Sequence, residues 1–120
     1  QKLTNAMDKL RAVLLIEIKI MIKYEDFISI LLSQIWGNEP RNIVCKNHVF
    51  NCISIIENII QEGIDNGEII DKNPEIVASA IFGLICSSLI YKLKTNKEID
   101  VKSLYNEYEK TILQGLVTNN

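Results

Sequence analysis

The sequence predicts an all-α domain. Three observations carry this. Apolar residues recur at helical spacing in five successive stretches, and no stretch alternates with the period of two that marks a half-buried strand. Turn chemistry parts the stretches at Gly37-Asn38-Glu39-Pro40, between Gly63 and Asn73-Pro74, and at Thr95-Asn96-Lys97. Apolar residues make up 48% of the chain, biased to isoleucine, against 23% charged; this provides a packed core and excludes a disordered chain. At 120 residues that core serves one domain, residues 1–120.

The first predicted helix covers residues 5–22. Asn5, three residues before Asp8, suits an N-cap. Leu3, Met7, Leu10, Leu14, Ile18 and Met21 then form one stripe, and Leu15, Ile16 and Ile20 add further apolar faces. The second covers residues 24–36, with Tyr24, Phe27, Ile28, Leu31 and Ile35 on one face and a break near Lys23. Pro40 suits the start of the third, residues 41–66. Its inner stripe is Val49, Cys52, Ile53, Ile56, Ile59, Ile60 and Gly63; Asn47, Asn51, Ser54, Asn58 and Gln61 form its wet side. Gly67 is placed to end it. Asn73 caps the fourth helix, which Pro74 opens and which runs to about residue 94. Asp100 caps the fifth, with a stripe of Val101, Leu104, Tyr105, Tyr108, Ile112 and Leu116.

Charge limits the partners. The formal net charge is −2 and the pI about 5.4, so these residues lack the basic footprint that phosphate neutralisation needs. The three cysteines are odd in number and sit in apolar helix patterns, which fits a reducing cytoplasm better than a disulfide framework. Cys45 and Cys52, seven residues apart on one helix, are separated by about 10 Å along the axis, too far for a bridge. The longest uncharged run, residues 76–91, is short of the roughly 20 residues of a membrane helix and contains Ser79, Ser87 and Ser88. It reads as a buried helix of a soluble dimer, with no membrane partner. The first residue is Gln1, so the chain reads as a piece of a longer protein.

No nucleophile, base and orienting group stand in a recognisable pattern. There is one histidine, no G-x-S-x-G and no phosphate-binding glycine loop, so no enzymatic activity and no cofactor are expected. Cys45-x2-His48-x3-Cys52 projects three soft ligands to one side of a helix, with Cys86 or Glu17 as a possible fourth. Seven-residue spacing is wide for one metal. Small apolar core cysteines are the simpler reading, with metal or thiol sensing as the alternative. Glu17 falls on the first stripe, between Leu14 and Met21. A buried carboxylate needs a partner: Arg11 or Arg41 could supply it, the group could sit exposed at the stripe edge, or it could face a cavity and meet a cationic ligand. Met21, Phe27, Trp36, Phe82 and Cys86 are core residues or cavity walls. On the fourth helix Ser79, Gly83 and Ser87 form a row of small residues. Its other faces are apolar too, so the row fits a subunit interface as well as close packing within one protomer.

The segment EGIDNGEIIDKNPEIVASAIFGL, residues 62–84, is the most specific stretch. It resembles the C-terminal half of tetracycline-repressor (TetR/AcrR) family transcription regulators. In that family the seventh helix closes on a G-x-x-x-G-E-like turn, and a D/N-P-E step starts the eighth, which reads A-x-x-I/L-x-G. The matching positions are Gly63, Gly67, Glu68, Asn73, Pro74, Glu75, Ala78, Ile81 and Gly83. The resemblance implies that the five helices are the family's last five. It implies a homodimer in which the last two helices of each protomer build a four-helix bundle, here through Ser79, Gly83, Ser87, Tyr105, Tyr108 and Ile112. It implies a pocket for a small apolar or cationic effector whose binding releases operator DNA. The expected walls are Glu17, Met21, Phe27, Leu31, His48, Cys52, Ile56 and Phe82, with Glu17 and His48 as polar fixtures. The chain departs from the family by lacking the N-terminal helix-turn-helix, so it should contact DNA only through that missing part. A purely structural helical dimerisation module is the other alternative.

Overall fold

The computed structural model describes residues 5–26, 30, 40–95, 98 and 100–116, with the side chains of residues 40–45 excepted. Among these residues all regular structure is helical. The helices are α1 (Ala6–Lys23), α2 (Pro40–Asp65), α3 (Pro74–Thr95) and α4 (Val101–Thr111), followed by a 3-10 turn at Leu113–Gly115. Most of the predicted helix over residues 24–36 lies outside the described residues, together with Phe27, Leu31 and Trp36. The break near Lys23 is where α1 stops: the Tyr24 N–H closes on the Ile20 carbonyl at 2.9 Å.

The caps account for the boundaries. Asn5 Oδ1 accepts from the Asp8 N–H at 2.7 Å, and Asn73 Oδ1 from the Ile76 N–H at 3.1 Å. Asp100 accepts from the Lys102 N–H at 3.1 Å and the Ser103 hydroxyl at 2.8 Å, bonds that hold its carboxyl below the ordinary range. Gly67 ends α2 at φ +84°, a left-handed conformation that costs glycine nothing. The chain then folds back, and the Ile69 N–H reaches the Gly63 carbonyl at 3.0 Å. Gly63 is needed because a Cβ there would lie 2.4 Å from Ile69 Cδ1 and 3.1 Å from Ala6 Cβ.

α1 is the central helix. It buries Ala6, Met7, Leu10, Leu14, Ile18 and Met21, the stripe that the periodicity marks out. Ile56 and Ile60 of α2, Ala78, Ile81, Ile85 and Leu89 of α3, Tyr108 of α4 and Leu113 and Leu116 complete one core. Ion pairs pin α1 from outside: Lys9 to Glu62 of α2 at 2.9 Å, and Arg11 to Glu109 of α4 at 2.8 Å.

Glu68, in the loop after α2, caps α1 from a distance. Its two carboxylate oxygens accept from the N–H groups of Ala6 and Met7 at 3.0 and 3.2 Å. Burial works to raise the pKa of this carboxyl. The two amide bonds, Asn66 and the charge of Lys9 outweigh that and lower it. The next residues of the same loop tie down the turn after α4, where the Ile70 N–H meets the Leu116 carbonyl at 2.9 Å. Glu68→Ala is expected to cost about 1 kcal/mol, the usual worth of an N-cap, measured by urea denaturation at pH 7. The loss should shrink in acid, where protonation removes the capping charge in the parent as well.

Candidate functional site

Two features of this fold stand apart from ordinary packing. The first is the junction around Glu17. It projects from α1 between the buried Leu14, Ile18 and Met21 and is itself partly buried. Its charge is felt by Cys52 of α2 and Cys86 of α3, so three helices meet here. Met21 and Ile56 beside it are buried, and Phe82, one turn before Cys86, is half-buried. Arg11 is not its partner, since that guanidinium is taken by Glu109 and by Asp8 at 3.0 Å. The side chain of Arg41 lies outside the described residues. No ion pair or hydrogen bond links Glu17 to any described residue, and burial pushes its pKa up to about 7. Burial thus favours its protonated form, which can donate as well as accept a hydrogen bond.

The thiols behave as neutral groups. Burial, then the charge of Glu17, raises Cys52. Burial, Glu17 and Cys52 together push Cys86 up to about 12. Neither has the thiolate character that a reactive or metal-binding cysteine needs. Among the described residues no three histidine, cysteine, aspartate or glutamate side chains are grouped to hold a metal. The side chain of Cys45 lies outside that set.

The second feature is the outer face of α3. This helix has 22 residues, and by length and composition it is apolar enough to cross a membrane, so the shorter run read from the sequence understates it. Only 28% of its most apolar window is buried in the protomer, whereas a core helix would be mostly covered. Ile76, Ala80, Gly83 with Leu84, Ser87 and Tyr91 follow one another at helical spacing along the exposed side. Ile76 is 65% and Tyr91 71% exposed. Beside the first half of this stripe, an open groove of about 260 Å³ runs between α3 and the end of α4. Ile76, Val77, Ala80, Ile81 and Leu84 line it with Ile112 and Leu116. A Cβ on Gly83 would meet nothing within 4 Å, so the small residue is not required by packing inside the protomer.

The predicted site residues divide accordingly. Glu17, Met21, Cys52, Ile56 and Phe82 lie on the three helices that meet at the junction. His48 does not join them: it is exposed on α2, because its position falls on the wet side beside Asn47 and Asn51. Phe27 and Leu31 are outside the described residues. Of the predicted interface residues, Ser79, Gly83 and Ser87 are exposed. Tyr108 is a correction. It is 4% exposed, and its hydroxyl is hydrogen-bonded to Ser88 Oγ, so it belongs to the protomer core. Tyr105 and Ile112 are half-buried and pack against that core. An apolar stripe on a terminal helix does not reveal whether its own protomer or a second one covers it. Ile76, Ala80 and Tyr91 extend the exposed apolar stripe beyond the residues singled out in the sequence, where their spacing was the available signal; the capping role of Glu68 had no local signal.

No family model matches the chain, and no curated protein matches it significantly. Among solved structures it is similar to a "Clostridium perfringens putative fatty acid metabolism regulator". The TM-score is 0.86 at 26% sequence identity, over 99% of this chain and 65% of that one. The chain shares that regulator's fold. It spans just under two thirds of the matched protein's length.

Proposed function

We propose that this chain is the effector-binding and dimerisation domain of a cytoplasmic transcription regulator of the tetracycline-repressor type. The observation that carries this reading is the near-complete superposition on a regulator with about a third of its length beyond the shared region. In this reading the DNA-reading helices belong to the rest of the protein. The G-x-x-x-G-E turn and the N-P-E step support the family: Gly63 and Gly67 close α2, and Asn73 and Pro74 open α3. The uncovered apolar face of α3 supports a homodimer, since a helix with such a stripe calls for a second surface. The effector is a small molecule with an apolar body. That fits the apolar walls around Glu17 and the involvement of the similar protein in fatty acid metabolism. The neutral thiols of Cys52 and Cys86 weigh against sensing by these two cysteines.

The test is a melting experiment with a panel of medium-chain apolar compounds. A ligand at about 100 times its dissociation constant should stabilise the fold by roughly 2.7 kcal/mol, a melting shift of several degrees. Cys52→Trp, which adds a large ring on the α2 side of the junction, should abolish the shift and leave the oligomeric state unchanged. A panel that moves the melting temperature of neither protein would leave a plain dimerisation module as the better reading.

A further inference from the structure

We infer that Glu68, Ile69 and Ile70, in the loop after α2, form a relay that ties the groove between α3 and α4 to the first turn of α1, so that a second copy seated in the groove steadies the start of α1. The occupant rests on the dimer reading; the relay itself is read from the protomer.

The start of α1 depends on that loop. The first turn of a helix leaves its N–H groups without intrahelical partners. The Asn5 side chain takes that of Asp8 at 2.7 Å. Those of Ala6 and Met7 are met from outside, by the two carboxylate oxygens of Glu68 at 3.0 and 3.2 Å. Both residues are buried, Ala6 wholly. Water is a poor substitute there, and a buried donor that loses its acceptor is costly.

The same loop is held from the other side. Three consecutive residues each bond a different element. Glu68 holds α1, the Ile69 N–H holds the Gly63 carbonyl near the end of α2 at 3.0 Å, and the Ile70 N–H holds the Leu116 carbonyl after α4 at 2.9 Å. There is little slack between them. Successive Cα atoms lie about 3.8 Å apart, and the Ile69 side chain is fixed in the core. Gly63 lies so close that a Cβ there would meet Ile69 Cδ1 at 2.4 Å. A shift of Leu116 therefore reaches Glu68 through two peptide units.

Leu116 is also a wall of the groove, with Ile112, and Lys72 of the same loop lines it too. An occupant that packs on Leu116 fixes the carbonyl that holds Ile70. Coupling of this kind is reciprocal: what steadies one end of the relay favours the bonds at the other. The charges on α3 suit a second copy as the occupant. Glu75 stands in its first turn and Lys92 and Lys94 in its last, with Lys94 also facing Glu25 at 3.5 Å. Asp71 and Lys72, just before the helix, cancel. Antiparallel pairing sets the acidic start of one α3 against the basic end of the other, whereas parallel pairing would oppose like charges. In the proposed reading the DNA-reading helices stand before α1, and the relay carries the state of the dimer to the junction with them.

The experiment is residue-resolved amide hydrogen exchange on the full chain. Glu68→Ala should speed exchange of the Ala6 and Met7 N–H groups about fivefold, the loss of one cap. Leu116→Ala touches neither amide, yet should speed both by more than Leu89→Ala, which removes the same group from the α3 core. Glu68→Ala and Leu116→Ala combined should be no faster at these amides than Glu68→Ala alone. Should a leucine variant unfold, Ile112→Ala against Ile90→Ala, both half-buried, makes the same comparison. Exchange at Ala6 and Met7 no faster in Leu116→Ala than in Leu89→Ala would overturn the relay. For the groove, the parent is compared with Gly83→Glu at a concentration where sedimentation shows the parent dimeric. The variant should exchange faster at Ala6 and Met7, and equal rates would overturn the coupling to the groove. A parent that sediments as a monomer would sink the dimer reading and the groove step together, while the leucine pair still decides the relay.

Discussion

Changing Gly83 to glutamate is expected to turn a dimer of this domain into folded monomers. The protomer itself should tolerate the change. Gly83 is exposed, nothing lies within 4 Å of an added Cβ, and glutamate is the better helix former by roughly 0.5–1 kcal/mol. The damage should fall wholly on the contact between protomers. Gly83 sits mid-way along the outer stripe of α3, where a second copy would bring two carboxylates to one crossing. An uncompensated buried charge costs about 3–5 kcal/mol, and about 1.4 kcal/mol is tenfold in affinity. The dimer dissociation constant should therefore rise by at least about a hundredfold. The helical circular dichroism of the variant should match the parent, with the loss seen only in sedimentation.

Replacing Glu17 by glutamine is expected to stabilise the domain at pH 8 and leave it nearly unchanged at pH 4.5. The folded-state pKa is raised from 4.5 to about 7. A carboxyl shifted upward makes its full contribution to stability below the unfolded pKa. It loses that contribution as pH rises through the folded value. The window of loss is thus about pH 4.5 to 7, opposite in sign to that of Glu68, whose pKa is lowered and whose contribution is lost in acid. A shift of this size corresponds to at most about 3 kcal/mol, less whatever solvent reaches the group. Urea denaturation of both proteins at pH 4.5, 6 and 8, at matched protein concentration, gives the difference directly. Equal stability at all three values would mean that Glu17 titrates normally.

The sequence carried the helices because their ends are written locally. Asn5, Asn73 and Asp100 each cap within three residues, and Gly67 supplies the left-handed stop. It carried the Glu17 anomaly too, since a carboxylate between Leu14 and Met21 breaks an apolar stripe. Its surroundings were not legible, because Cys52 and Cys86 reach it from helices 35 and more residues away. The cap on α1 was hidden for the same reason: Glu68 acts on Ala6 across 62 residues, and no local pattern encodes that reach. Tyr108 shows a different limit. Periodicity placed it on an apolar face, but only the packing of α4 on α1, with the hydrogen bond from Tyr108 to Ser88 of α3, assigns that face to its own core. The row of Ser79, Gly83 and Ser87 was legible as a stripe because α3 carries no charged residue between Glu75 and Lys92.

Pairing of α3 with a second copy of itself is tested most directly by sedimentation equilibrium of the unmodified chain at micromolar concentration. A specific interface of this kind should bury more than roughly 1,000 Å² in total and hold at that concentration. The expected mass is twice the 13.7 kDa of the single chain. A single species at 13.7 kDa, folded and with the face of α3 open to solvent, would contradict it.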